Sequence, residues 1–175
     1  MDLLNRDVSV YERENGHIGI RNELWIIPTV GCVNGISNRI IERFKEKQFE
    51  KNINLKAIEN FDGIFSFTHP YGCSQMGDDH LNTRATLQNI AIHPNAGGVL
   101  ILGLGCENNQ VPTFIETLEG YDPKRHKYLI SQDSEDEIED ACLLLDELFI
   151  QMLNDKRTKK PISVLNIGLE CGGSD

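Results

Sequence analysis

The sequence predicts an α/β protein: a three-layer α/β/α sandwich around a mainly parallel, five-stranded sheet of the Rossmann or flavodoxin type, preceded by a small β-hairpin. Three observations predict it. Short apolar runs of strand length alternate with stretches whose apolar residues recur at helical spacing. The segments joining the runs are long enough for crossover helices, which gives parallel pairing with right-handed connections. A length of 175 residues holds one well-buried domain but not two comfortable ones. Residues 1–22 read as a hairpin and lead-in, and residues 23–175 as the α/β domain.

Val8 to Arg13 and His17 to Ile20 flank Glu14-Asn15-Gly16, and Asn-Gly between short alternating segments is a strong hairpin signal. Glu23 to Val30 is the first core strand, with Pro28 placed near its end because proline cannot donate to a ladder. After the turn Gly31-Cys32-Val33-Asn34-Gly35, the stripe Ile36, Ile40, Ile41 and Phe44 marks a helix that runs into a charged, solvated stretch. Gly63 to Thr68 is the second strand. Asp78 or Asp79 caps the next helix, which passes through Leu81, Ala85 and Ile90 and is stopped by His93-Pro94. Gly98 to Leu102 is the third strand; Val111, Phe114, Ile115 and Leu118 form the third helix, ending near Gly120. Tyr128 to Ile130 is a short fourth strand. Asp133 and Ser134 open the longest helix, with Ile138, Cys142, Leu145, Phe149 and Met152 on one stripe and acidic residues at the positive end of its dipole. Pro161 precedes a fifth strand, Ile162 to Gly168.

The formal charge of −10 offers no basic stripe for nucleic acid or an anionic membrane. No apolar run has the length of a membrane span and the first residues lack a signal-peptide core, so a cytoplasmic location is expected. Five cysteines, an odd number in a chain of ordinary size, read as reduced thiols rather than a disulfide framework.

Four of those cysteines fall just after an expected strand: Cys32, Cys73, Cys106 and Cys171. In a parallel sheet such turns share the edge where open α/β sheets bind ligands. Cys32, His69, Cys73, Cys106, Glu107 and Cys171 are therefore expected around a common crevice. Thiols beside an imidazole and a carboxylate suit iron, zinc or an iron–sulfur centre. There is no C-x-x-C pair, which leaves a zinc knuckle or thioredoxin-type site without support. Cys142, inside an apolar stripe, reads as core. Among the histidines, His69 at a strand end is the candidate ligand or catalyst; His80 reads as a surface residue near a cap, His93 as structural, and His17 and His126 as surface. Gly103-Leu104-Gly105 begins like a dinucleotide fingerprint, but Asn108 stands where the third glycine would and a Walker lysine is missing.

Several long motifs, in order, carry a resemblance. Gly19 to Ile26, Pro28 to Gly35, Tyr71 to Gln75, Gly77 to His80, Asn82-Thr83-Arg84, His93 to Gly97, Gly103 to Gln110 and Gly168 to Asp175 together resemble the altronate/galactarate dehydratase family over nearly the whole chain from Val8. Pro70 after His69 departs from the family's usual residue there. The resemblance implies a hydro-lyase of hexuronate catabolism that converts D-altronate to 2-dehydro-3-deoxy-D-gluconate and water. It implies ferrous iron as activator, with Mn²⁺ or an iron–sulfur centre as alternatives. Carried onto this sequence, it gives Cys32, His69, Cys73, Cys106 and Cys171 as metal ligands and His69, Glu107 and Cys106 as catalytic residues. Asn34, Asn109, Gln110 and Asp175 are the candidates for sugar hydroxyls. Family members are longer at both ends, so the chain reads as a middle domain whose partners are a small-molecule sugar acid and the remaining domains of the same enzyme; a homo-oligomer is compatible with it. Two alternatives stay open: a dehydratase for galactarate or another aldonate or aldarate, and a non-catalytic metal- or iron–sulfur-binding α/β module.

Overall fold

The computed structural model describes residues 6–71, 73–170 and 172–173. Among the described residues, seven strands and four α-helices organise the chain. A four-stranded parallel sheet is built from β3 (Glu23–Pro28), β4 (Ile64–Ser66), β5 (Ala96–Gly103) and β6 (His126–Ile130). Their spatial order is β4-β3-β5-β6, so the first core strand lies between the second and third, the 2-1-3-4 order of flavodoxin-like sheets. The helices are α1 (Asn34–Glu50), α2 (Gly77–Ala91), α3 (Val111–Glu116) and α4 (Glu137–Met152).

Side-chain alternation on the two central strands makes the three layers. Leu24, Ile26, Leu100 and Leu102 pack against α1 and α4 through Ile40, Phe44, Leu145, Leu148 and Phe149. Their neighbours Trp25, Ile27, Val99 and Ile101 face the other way, onto Leu87, Ala91, Val111, Phe114 and Leu118. Burial on both faces is why these strands read as continuous apolar runs rather than alternating ones. Across the first layer, Phe149 of α4 meets Phe44 and Phe61 edge to face at 5.9 and 5.1 Å.

A second, antiparallel sheet has the order β2-β1-β7, with β1 Asp7–Glu12, β2 Ile18–Gly19 and β7 Thr158–Pro161. The hairpin expected at Asn15-Gly16 forms, with Gly16 at φ +79° and Tyr11 opposite Gly19.

Here the expected fifth parallel strand is overturned. Residues 162–164 form a single 3₁₀ turn, and the strand preceding them, β7, pairs antiparallel with β1. Ile167, which a core strand would have buried, is 75% exposed. A short apolar run has no strand identity of its own; the pairing partner decides, and the backbone of β1 captured this segment one turn earlier.

Three smaller expectations change with it. Helix α4 starts later, capped by Asp136, whose side chain accepts from the Glu139 N–H, while 131–133 form a 3₁₀ turn; α1 is one residue longer than α4. Helix α2 has Met76 at its N-cap, without a side-chain cap, and Asp78 and Asp79 in its first turn. It buries Leu87 and Ala91, one turn apart, while Leu81 and Ala85 are exposed, because the sheet meets only the C-terminal half of that helix.

Candidate functional site

Parallel pairing carries the C-terminal ends of β3, β4 and β5 to one edge, with Ile26 opposite Ser66 and Pro28 opposite Leu102. The loops that leave them are stitched to one another. Gly31 N–H donates to the Tyr71 carbonyl at 2.6 Å, and a Cβ on Gly31 would stand 2.8 Å from the His69 carbonyl, so this crossing needs glycine. Asn34 Nδ2 donates to the same His69 carbonyl at 2.8 Å. From the third loop, Asn108 Nδ2 donates to the Gln75 carbonyl at 2.7 Å.

Beneath the third loop lies Glu107, 1% exposed. Its Oε1 accepts from Thr29 Oγ1 at 2.7 Å and from Leu104 N–H at 3.0 Å, and its Oε2 accepts from Gly105 N–H at 2.6 Å. Gly103 is forced at this point, since a Cβ there would meet Val111 and Glu107 Oε1 at 2.4 and 2.8 Å. Asn109, 3% exposed, accepts from Arg84 Nε at 3.1 Å and donates to the Thr29 carbonyl at 3.2 Å. The polar groups of Glu107 and Asn109 are thus spent on holding the loop against β3. Gln110 is exposed at the N-cap of α3.

His69 stands apart from this network. Its Nε2 lies 2.9 Å from the Pro28 carbonyl, and a carbonyl only accepts, so the proton is on Nε2. In its neutral form the ring then carries its lone pair on Nδ1, which is buried and has no hydrogen-bond partner among the described residues. Asn34 Oδ1 is likewise buried without a partner among the described residues. Native structures satisfy almost all buried polar atoms, so two such atoms on residues joined by the Asn34–His69 hydrogen bond single this place out as a candidate ligand site. Tyr71 stacks on the His69 ring at 5.8 Å.

Cys32, Cys73 and Cys106 are exposed in the three loops of this edge. Cys171 and Asp175 lie outside the described residues. Among the described residues, no three of His, Cys, Asp and Glu converge as a metal-binding group. The described donor set therefore does not assemble an iron site by itself. Cys142 is buried on α4, where desolvation pushes its thiol up to about 11.

The pairing of Arg84 with His80 escaped the sequence reading. Arg84 Nη2 lies 2.6 Å from His80 Nε2, and since a guanidinium only donates, that nitrogen accepts. Burial, and then the Arg84 charge, hold the His80 pKa below its ordinary value. The two are four residues apart on α2, a spacing that puts them on one face, which is the signal that could have found them. His126 is the reverse case: expected at the surface, it is 6% exposed, with Nε2 3.1 Å from the Ala91 carbonyl and Tyr121 stacked on its ring.

Residues 10–153 match the family described as D-galactarate dehydratase/Altronate hydrolase, second domain. The chain belongs to this family. It is 54% identical over 171 residues to altronate dehydratase of Escherichia coli (strain K12), covering 98% of this chain and 33% of that protein. With altronate dehydratase of Bacillus subtilis (strain 168) the identity is 50% over 171 residues, and the coverage is again 98% and 33%. Galactarate dehydratase (L-threo-forming) of E. coli is more distant, at 29% over 178 residues, 94% of this chain and 32% of that protein. The chain spans about a third of the length of the curated relatives it matches. In this chain the domain has a parallel sheet whose loop edge is tied together by Glu107, Asn109 and Arg84, with His69 Nδ1 and Asn34 Oδ1 unpartnered among the described residues.

Proposed function

We propose that this domain forms one wall of the active site of a sugar-acid hydro-lyase that dehydrates D-altronate to 2-dehydro-3-deoxy-D-gluconate. The observation that carries the reading is His69 Nδ1, unpartnered among the described residues, on a ring held by the Pro28 carbonyl at its other nitrogen. A general base needs this arrangement: a lone pair waiting for a proton, and an acceptor behind the ring that fixes the tautomer and steadies the imidazolium. In the proposed reaction the C2 proton passes to Nδ1 and the C2–C3 double bond forms as the C3–O bond breaks. The proton on Nδ1 then leaves with the departing hydroxide as water, and the enol tautomerises to the 2-dehydro-3-deoxy acid. Asn34 Oδ1 accepts from a substrate hydroxyl. The start of α1, which has no side-chain cap and no acidic residue in its first turn, is suited to the substrate carboxylate.

Altronate is preferred over galactarate on the difference between 54% and 29% identity to the respective enzymes. Iron, in this reading, would take ligands from Cys32, Cys73, Cys106 or Cys171 together with groups from other parts of the longer polypeptide, and would supply positive charge to the substrate oxygens. Glu107 is assigned to holding the loop rather than to proton transfer.

The test is the complete enzyme assayed on a panel of aldonates and aldarates, alongside His69→Ala. Loss of a general base lowers kcat by about 10²- to 10⁴-fold with an unchanged circular dichroism spectrum. Wild-type turnover by His69→Ala removes the assignment of the base; a wild-type enzyme that dehydrates none of the panel removes the function.

A further inference from the structure

A cleft of about 500 Å³ opens beside His69, between α2 and the segment that follows β4, and nothing above gives it a task. Its lining changes character from floor to rim. Phe67, Leu87 and Ile90 are apolar and belong to the core behind the sheet, where Phe67 packs edge to face on Trp25 at 4.6 Å. Thr68, Gln75, Asn82 and Thr83 are polar, and among the described residues their side chains make no hydrogen bond. In Asn109 and Glu107, by contrast, every side-chain polar atom is engaged. From Asp79 to Ile90 the cleft follows α2 for about three turns of helix.

A floor of hydrocarbon under a row of unused hydroxyl and carboxamide groups matches one kind of ligand. A polyol chain has C–H faces that displace water from apolar surface and O–H groups that exchange donors and acceptors with threonine, asparagine and glutamine. A purely apolar ligand would leave the rim unsatisfied, and an anionic one would face Asp79 without a cation among the lining groups.

We infer that this cleft binds the hydroxylated C4–C6 tail of the sugar acid, with Asn82 and Thr83 reading its hydroxyls, while the reacting carbons lie at the His69 end. This rests on the dehydratase reading above and assigns the subsite that distinguishes long from short acids. Asn82 and Thr83 touch no reacting atom, so their loss weakens binding rather than chemistry.

The test measures steady-state constants of the complete enzyme with the six-carbon acid for Asn82→Leu and Thr83→Val, near-isosteric changes on the surface of a helix. Each removes about one hydrogen bond, so KM rises about three- to tenfold per substitution while kcat stays within about twofold. Thr83→Ser, which restores the hydroxyl, returns KM toward the wild-type value; a purely structural effect would not be rescued this way. Unchanged KM in both variants overturns the inference and leaves the dehydratase reading standing. Equal loss of kcat and kcat/KM with normal folding also overturns it, because that signature belongs to a group acting in the transition state. A wild-type enzyme without turnover on any sugar acid removes the function and the subsite together.

Discussion

Glu107 shows how one buried residue can decide whether a site edge exists. Three donors from the turn after β3 and from its own loop converge on a carboxylate that is 1% exposed. Replacement by alanine strands the Thr29 hydroxyl and two backbone N–H groups and opens a cavity against Gly103, whose neighbours include Glu107 Oε1. Glu107→Ala is expected to cost about 3 kcal/mol in urea denaturation. Glu107→Gln retains an acceptor and costs less. Equal stability of Glu107→Ala and wild type would show that the loop finds other partners. The sequence placed Glu107 at the correct edge, because a strand followed by Gly103-Leu104-Gly105 is a local pattern. Its partner Thr29 lies 78 residues away, and no local pattern reports such a bond. The same holds for His126, whose burial is set by Ala91 and Tyr121 on other elements.

At the scale of elements, α1 and α4 are joined by a charge cluster as well as by aromatic packing. Glu139 accepts from Lys47 Nζ and Arg43 Nε, both at 2.7 Å, and the hydrogen bond from Lys47, then that from Arg43, draws its carboxyl down to about 2. A depressed carboxylate contributes stability above its unfolded pKa and loses it as pH falls through the folded value, here between 4.5 and about 2. Glu139→Gln therefore lowers Tm at neutral pH in low salt, and the gap from wild type narrows on acidification through that window. Added salt narrows it too, because the cluster is open to solvent. A gap independent of both pH and salt would assign the effect to packing. Elements were legible where both faces of a strand are buried, as at Leu24 to Ile27 and Val99 to Leu102. They were misread where a partner decides: residues 162–168 look like a strand, but β1 pairs with 158–161 instead.

For the whole molecule the question is whether the small sheet is an appendage or part of one cooperative unit, and Asp155 answers it in structural terms. It lies between α4 and β7 with its side chain 12% exposed. It accepts from Arg125 Nη2 at 2.6 Å and Nη1 at 2.8 Å, just ahead of β6, and from Arg13 Nη1 at 3.1 Å, just after β1. Arg13 also donates to the Pro94 carbonyl at 2.8 Å and to Asn22 Oδ1 at 3.0 Å, which ties the hairpin to the N-terminal ends of β3 and β5. Burial is the first influence on Arg13 and lowers its pKa; Asp155 is the charge that opposes it. Without the carboxylate, two largely buried guanidinium groups would face each other unpaired. Asp155→Asn is expected to cost about 3 kcal/mol, in the range for breaking a buried pair, with part of the loss recovered in high salt as the repulsion is screened. Because Val10 and Tyr11 of β1 are 0% and 1% exposed, the loss should come as one shift of the urea midpoint, seen alike by circular dichroism and by hydrogen exchange in β1 and β5. Exchange that accelerates in β1 and β7 alone, with β5 unchanged, would instead make the antiparallel sheet a separately opening unit.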